Sequence, residues 1–426
     1  MSARAMFRAG GWVLILTLAA AVEGTAQTVA IRNATVHTNA GDVLDPGIVI
    51  IRDGRILAVG GDPNIPAGAR IIDGTGLVVT PGLIESRTQL GLVEVGLSAD
   101  GTVDVSTSDD RITASFNPVD GINPASVLIP IARAAGITRA VVAPSTGASL
   151  IAGQGVLMDL GGGDVTAMLQ TNPVAMFASL GEAGAGLAGG ARSAAVQQLR
   201  EAILDARDHA RNAASFERGE RRDYSVSRLD LEALAMVADR SIPLVLEVHR
   251  ASDILSAIRL GQELDLDLVL SGVAEGWTVA DELAAARVPV IVNPMTNLPG
   301  FASLAATYEN AGRMHAAGVH VTISSFTSHN ARNIKQAAGM AVSYGMPWEA
   351  ALEAVTLHPA QIWGVDDRIG TIEAGKDADL VVWSGDPFEL TTAVRHVFIE
   401  GREVSLETRQ TALFRKYRDL GSVPRE

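Results

Sequence analysis

The sequence contains no cysteine among its 426 residues. Disulfide staples, thiolate metal ligands and a cysteine nucleophile are therefore excluded. Aromatic residues make up only 4%, so base-stacking platforms of the kind that bind single-stranded nucleic acid have little to draw on. Positive charge is also short: 34 Lys and Arg against 48 Asp and Glu leave a net charge of −14, and such a chain repels nucleic acid. The acidic residues are spread along the chain, with no block that would make an acidic tail. Several catalytic signatures are missing as well. There is no G-x-G-x-x-G after a first strand, no G-x-S-x-G elbow and no H-E-x-x-H, which removes the usual dinucleotide, serine-hydrolase and zincin patterns. Beyond the N-terminus no stretch reaches the about 18 unbroken apolar residues of a membrane span.

What is present is ordinary for a large globular chain, with 47% hydrophobic and 19% charged residues. The first residues read as a secretory leader. Arg4 and Arg8 supply the positive start, Gly11 to Val22 (GWVLILTLAAAV) the apolar stretch, and Gly24-Thr25-Ala26 the small residues for cleavage after Ala26. An uncleaved anchor is the alternative. Export without cysteine, and without a lipidation cysteine after the leader, predicts a soluble periplasmic or secreted protein that needs no covalent staples.

The period of the pattern changes twice. From Thr28 to Val79 the text is β-branched runs between Gly and Asp turns (TVAIRNATVHT, IVIIRDGRILAVG, ARIIDGTGLVVT), and the same style returns from Gly370 to Val404. Two β blocks around one α/β region predict a composite β-sandwich domain made from residues 27–80 and 366–406, a barrel from 81–365, and a C-terminal helix or tail from 407–426. In the middle, strand-like runs (Ile137–Ala143, Val174–Ser179, Ile242–Val248, Leu266–Leu270, Val288–Val292, Val319–Ser324) alternate with helical ones such as Ala191–Ala214, Arg228–Arg240 and Ala251–Glu263. That alternation fills the about 250 residues of a (β/α)8 TIM barrel; a doubly wound open sheet is the structural alternative. Two segments break it. Gly96 to Ala125 is acidic and turn-rich and follows the first barrel strand, on the face where barrel sites form. Gly181 to Gly190 (GEAGAGLAGG) reads as a mobile glycine loop, since no Lys and Ser/Thr accompany it to make a phosphate cradle.

Four stretches carry a resemblance: VVTPGLIES (Val78–Ser86), INPASVLIPIARAAGITRAVVAPSTGASLIAGQG (Ile122–Gly155), HNARNIKQAAGMAVSYGM (His329–Met346) and ALEAVTLHPAQIWGVDDRIGTIEAGKDADLVVWSGDP (Ala351–Pro387). Through them the chain resembles a secreted member of the amidohydrolase superfamily, in its imidazolonepropionase-like group, over essentially all of the mature sequence. The resemblance implies a hydrolase of non-peptide C–N bonds (amides, cyclic amides or dipeptide-like substrates) using one or two divalent metals such as zinc. In that family the metal is held by a His-x-His on strand 1, a carboxylated Lys or a Glu on strand 4, histidines on strands 5 and 6 and an Asp on strand 8.

This chain departs from that pattern at nearly every slot. Strand 1 has Arg87 and Gln89 where the histidines belong, and a guanidinium has no lone pair to donate. On strand 4, Phe177 stands at the lysine slot, with the register open by a residue or two. Strand 5 gives Glu247 and then His249, strand 6 gives Ser271, and the strand 8 aspartate slot falls on Phe326 or Ser325. His249, joined by Glu247, is the remaining candidate for a metal, and a lone histidine in a barrel mouth is ordinarily a hydrogen-bonded structural residue. His329 reads as part of the turn after strand 8, with Asn330 as a helix N-cap. Arg87 and Glu247 either neutralise one another across the mouth or each face solvent. The expectation is a degenerate, non-catalytic member with no cofactor, binding a small, anionic molecule or an active relative, and oligomeric. The rival is a working metal-dependent hydrolase with an unusual site of His249, Glu247, Gln89 and Glu182.

Overall fold

The computed structural model describes residues 28–94 and 103–418. The leader over residues 1–26 and part of the acidic segment lie outside the described residues.

Strands β1 (Val29–Val36), β2 (Leu44–Arg52), β3 (Arg55–Gly60), β4 (Arg70–Asp73) and β5 (Val78–Pro81) come first. Eight more follow through the middle: β6 (Leu83–Thr88), β7 (Ile137–Val142), β8 (Ile151–Asp159), β9 (Leu169–Ser179), β10 (Leu244–Val248), β11 (Leu268–Gly272), β12 (Val290–Val292) and β13 (Val321–Ile323). The chain ends with β14 (Leu380–Trp383), β15 (Val394–Ile399) and β16 (Arg402–Glu403). The first and last groups share one sheet, ordered β16-β15-β14-β5-β1-β2-β3 with β4 beside β1. Antiparallel pairing of β14 with β5 (Leu380 opposite Pro81) stitches the two ends of the chain together.

The middle strands form the barrel sheet in chain order, β6 through β13, a (β/α)8 barrel in outline. Period-two alternation sorts its side chains. Leu244, Leu246 and Val248 of β10 pack outward with residues of the surrounding helices. Val245 instead joins Val141, Phe177, Val269 and Ile291 inside, with Trp363 against them. One strand departs from the expected all-parallel arrangement: β8 runs antiparallel to both β7 and β9. The pattern hid this strand because glycines interrupt it. They serve close approach rather than turns. A Cβ at Gly153 would lie 2.4 Å from the Phe116 carbonyl oxygen, and one at Gly155 would lie 2.3 Å from the Phe177 ring.

The glycine-rich stretch expected to be a mobile loop is helical from Gly181 to Leu187. Its glycines again allow contact: a Cβ at Gly184 would sit 2.4 Å from the Ser179 carbonyl oxygen. The two sheets are pinned by Arg139 of β7, which is buried. Its Nε donates to Asp379 at 2.6 Å and its Nη2 to the same carboxylate at 3.2 Å. Asp159 and Glu400 stand 3.9 and 3.5 Å away. A buried guanidinium needs such an acidic enclosure to offset its lost hydration.

Candidate functional site

A cavity of about 310 Å³ opens at the C-terminal ends of the barrel strands. The exit of β6 brings Arg87 and Gln89 to it, the loop after β7 brings Ser145 and Thr146, the end of β10 brings Glu247 and His249, and Phe326 closes it from beyond β13.

Arg87 organises the mouth. Its Nη2 donates to Glu247 Oε2 at 2.5 Å and its Nη1 to Ser271 Oγ at 2.7 Å. The guanidinium carbon lies 5.5 Å from the centre of the Phe326 ring, a cation–π contact. The two charged side chains are only 19% and 29% exposed, so the pair is shielded from most of the solvent. Burial pushes the Glu247 carboxyl up, but the neighbouring His249 and Arg87 outweigh it and hold the group down at about 2. His249 Nε2 approaches the other Glu247 oxygen at 3.5 Å. Phe326 adopts φ +59°, a left-handed conformation uncommon for a bulky residue, and this turns its ring toward the guanidinium. Gln89 donates its amide to Ser145 Oγ.

Beneath the mouth lies a carboxylate that pattern reading did not single out. Glu85 is fully buried. Its carboxylate accepts from Ser324 Oγ and from the Ser325 backbone N–H at 3.0 Å. Ser324 Oγ in turn accepts from the Arg87 backbone N–H at 3.2 Å, and Thr88 Oγ1 donates to the Thr327 carbonyl at 2.8 Å. Side chains thus close the barrel between its first and last strands, β6 and β13, which are the two ends of the sheet path. Burial pushes Glu85 up to about 7 against the pull of these hydrogen bonds. The available signal was a carboxylate in an otherwise apolar strand start, LIES.

Known proteins place this architecture. The amidohydrolase family profile matches residues 214–404. Over that stretch the chain is similar to the amidohydrolase family. An amidohydrolase from Thermotoga maritima superposes with a TM-score of 0.80 at 29% identity, covering 88% of this chain and 99% of that one. An imidazolonepropionase of Acidiphilium cryptum is 25% identical over 400 residues, 85% of this chain and 94% of the relative. An amidohydrolase of Hapsidospora irregularis is 24% identical over 393 residues, and the chain spans only 39% of that longer protein.

The family's divalent metal can be tested against the donors present. Among the described residues no group of three or more His, Asp or Glu side chains stands close enough to hold an ion. Among the described residues that line the mouth, Glu247 and His249 are the two acid or imidazole donors, and Glu247 is already engaged by a guanidinium that would repel a dication. The donor set does not fit the metal.

The remaining predicted positions lie elsewhere. Phe177 packs in the barrel interior with Trp363. Glu182 is exposed and faces Arg192 at 3.6 Å, away from the other members of the alternative ligand set. Ser325 is spent on Glu85 through its backbone, and its Oγ lies 3.4 Å from the Thr327 carbonyl. His329 is exposed beside Ser328 Oγ at 3.2 Å, and Asn330, at the start of the turn Ala331–Asn333, makes no side-chain cap.

Proposed function

We propose that the protein is an exported, non-hydrolysing amidohydrolase that binds a small polar molecule in its mouth cavity. The observation that carries this reading is the Arg87 guanidinium bonded to Ser271 and Glu247. It spends the best remaining metal donor of the mouth on an internal ion pair. Without a bound dication no water is activated there, and the family's hydrolysis has no nucleophile. Ligand recognition remains within reach. Two of the five guanidinium N–H donors are used, which leaves three for an incoming acceptor. Ser145, Thr146 and His249 add further polar partners around the same space. A ligand carboxylate would share the guanidinium with Glu247, so an anionic ligand gains less here than an unpaired arginine would give. Location in the periplasm or outside the cell rests on the leader-like start of the sequence.

One observation favours a second reading, hydrolysis of a C–N bond as in the homologues. His249 sits beside a carboxylate and is 45% exposed, an arrangement that also serves a general base. Elemental analysis of protein purified without chelator, combined with turnover assays on amides, cyclic amides and dipeptides, separates the two. The binding reading expects metal far below one ion per chain and no turnover. Near-stoichiometric zinc, manganese or iron, or hydrolysis that disappears in His249→Ala, overturns it.

A further inference from the structure

A second cavity, of about 460 Å³, lies between segment 103–117, the loop that enters β8 and the helix Arg192–Glu217. It is larger than the mouth, and its chemistry is opposite. Leu150, Ile151, Leu187 and Val226 give it apolar walls. Its charged lining consists of two carboxylates, Asp110 and Glu201, with no Lys, Arg or His among the lining residues. Asp110 makes no hydrogen bond or ion pair among the described residues; the adjacent Arg111 is bonded to Asp109 at 2.9 and 2.6 Å. Glu201 shares Arg222 with Asp205, at 3.3 Å. Beside the cavity the Thr113 hydroxyl is buried without a partner among the described residues, a cost ordinarily relieved by a water or a ligand.

The wall that carries Asp110 and Thr113 is anchored. The buried Asp230 carboxylate accepts from the Thr113 and Ser115 backbone N–H groups at 3.0 and 2.8 Å and from Ser115 Oγ at 2.7 Å. Ala148 N–H donates to the Thr107 carbonyl at 3.2 Å. The space is therefore framed by hydrogen-bonded backbone on one side and a long helix on the other.

We propose that this cavity is a binding site for a small organic cation with an apolar body, an alkyl- or arylalkylammonium whose charged end meets Asp110 and Glu201. The apolar walls bury the body, at about 25 cal/mol per Å² of area removed from water. Asp110 offers the ammonium its main acceptor, with Glu201, shared with Arg222, a weaker one, and the pair disfavours an anion of the same shape. The net charge of −14 also draws cations toward the surface.

Three probes of one shape test this: phenethylammonium, 2-phenylethanol and 3-phenylpropanoate, titrated calorimetrically into the purified protein at low and at 0.3 M salt. The expected order is ammonium tightest, alcohol about tenfold weaker and carboxylate without measurable binding, with the ammonium weakened by salt. Asp110→Asn combined with Glu201→Gln should erase the advantage of the ammonium while leaving the alcohol unchanged, a readout that simple misfolding would not give. Ala202→Trp, which fills the cavity, should abolish both. Equal affinity for the three probes, no binding of any, or an ammonium affinity untouched by the paired substitution would each overturn the assignment.

Discussion

Replacing Arg87 by Met strands the Glu247 carboxylate in a pocket where it is 29% exposed and where Arg87 is its nearest full positive charge. The size of the effect follows from two directions. A carboxyl held at about 2 instead of its ordinary 4.5 corresponds to about 3.4 kcal/mol of preference for the charged, partnered form, at about 1.36 kcal/mol per tenfold. Breaking a fully buried pair costs about 3–5 kcal/mol, and an exposed one about 0–1. With both side chains less than a third exposed, and with His249 also contributing, the loss in Arg87→Met should be about 1–3 kcal/mol. Glu247→Gln leaves the guanidinium with a neutral acceptor and should cost less. The double variant should lose clearly less than the sum of the two. The assay is a double-mutant cycle in urea, read by fluorescence from the five tryptophans. The coupling should exceed about 1 kcal/mol at pH 7. Because the Glu247 value is depressed, its contribution is present above pH 4.5 and is lost as the pH falls toward 2. Additivity within about 0.5 kcal/mol, or a loss in Glu247→Ala no larger than a typical surface change, would refute the reasoning.

Other outcomes are fixed by the same structure. Glu85 is raised by burial, so the folded state holds its proton where the unfolded state has released it, and wild-type stability should fall as pH rises from 4.5 to about 7. Glu85→Gln keeps an acceptor for the Ser325 N–H and should flatten that decline in denaturant titrations run across pH. Arg139→Met should cost about 3–5 kcal/mol, because Asp379 and Asp159 remain buried without their cation; a loss below about 1 kcal/mol in the same assay would contradict the pinning role. On the slot assignment that the resemblance implies, with Phe177, Ser271 and Phe326 or Ser325 at the other ligand positions, restoring histidines at strand 1 alone, as Arg87→His with Gln89→His, should yield no hydrolysis of amide substrates. Recovered turnover would show that fewer ligands suffice.

Much of the architecture was legible locally. Alternating apolar runs located six of the eight barrel strands, because a buried parallel strand announces itself as a short β-branched run, and the resemblance over VVTPGLIES supplied β6. The eighth, β8, carries Gly153 and Gly155, whose purpose is contact with Phe116 and Phe177, and no local pattern encodes that. Gly181–Leu187 departs from the expected mobile loop for the same reason: the fold uses Gly184 to bring a helix against the Ser179 carbonyl. Glu85 drew no attention because its partner, Ser324, lies 239 residues away.

The sequence by itself determined the α/β period and the two β blocks that must meet, since hydrophobic period and β-branched runs are local features of the chain. It left open whether Arg87 and Glu247 faced each other or the solvent. Tertiary structure decided that. Barrel closure carries the ends of β6 and β10 to one rim and sets two residues 160 positions apart within 2.5 Å, and electrostatic pairing depends on that distance and on the shielding around it, neither of which is written in the order of residues.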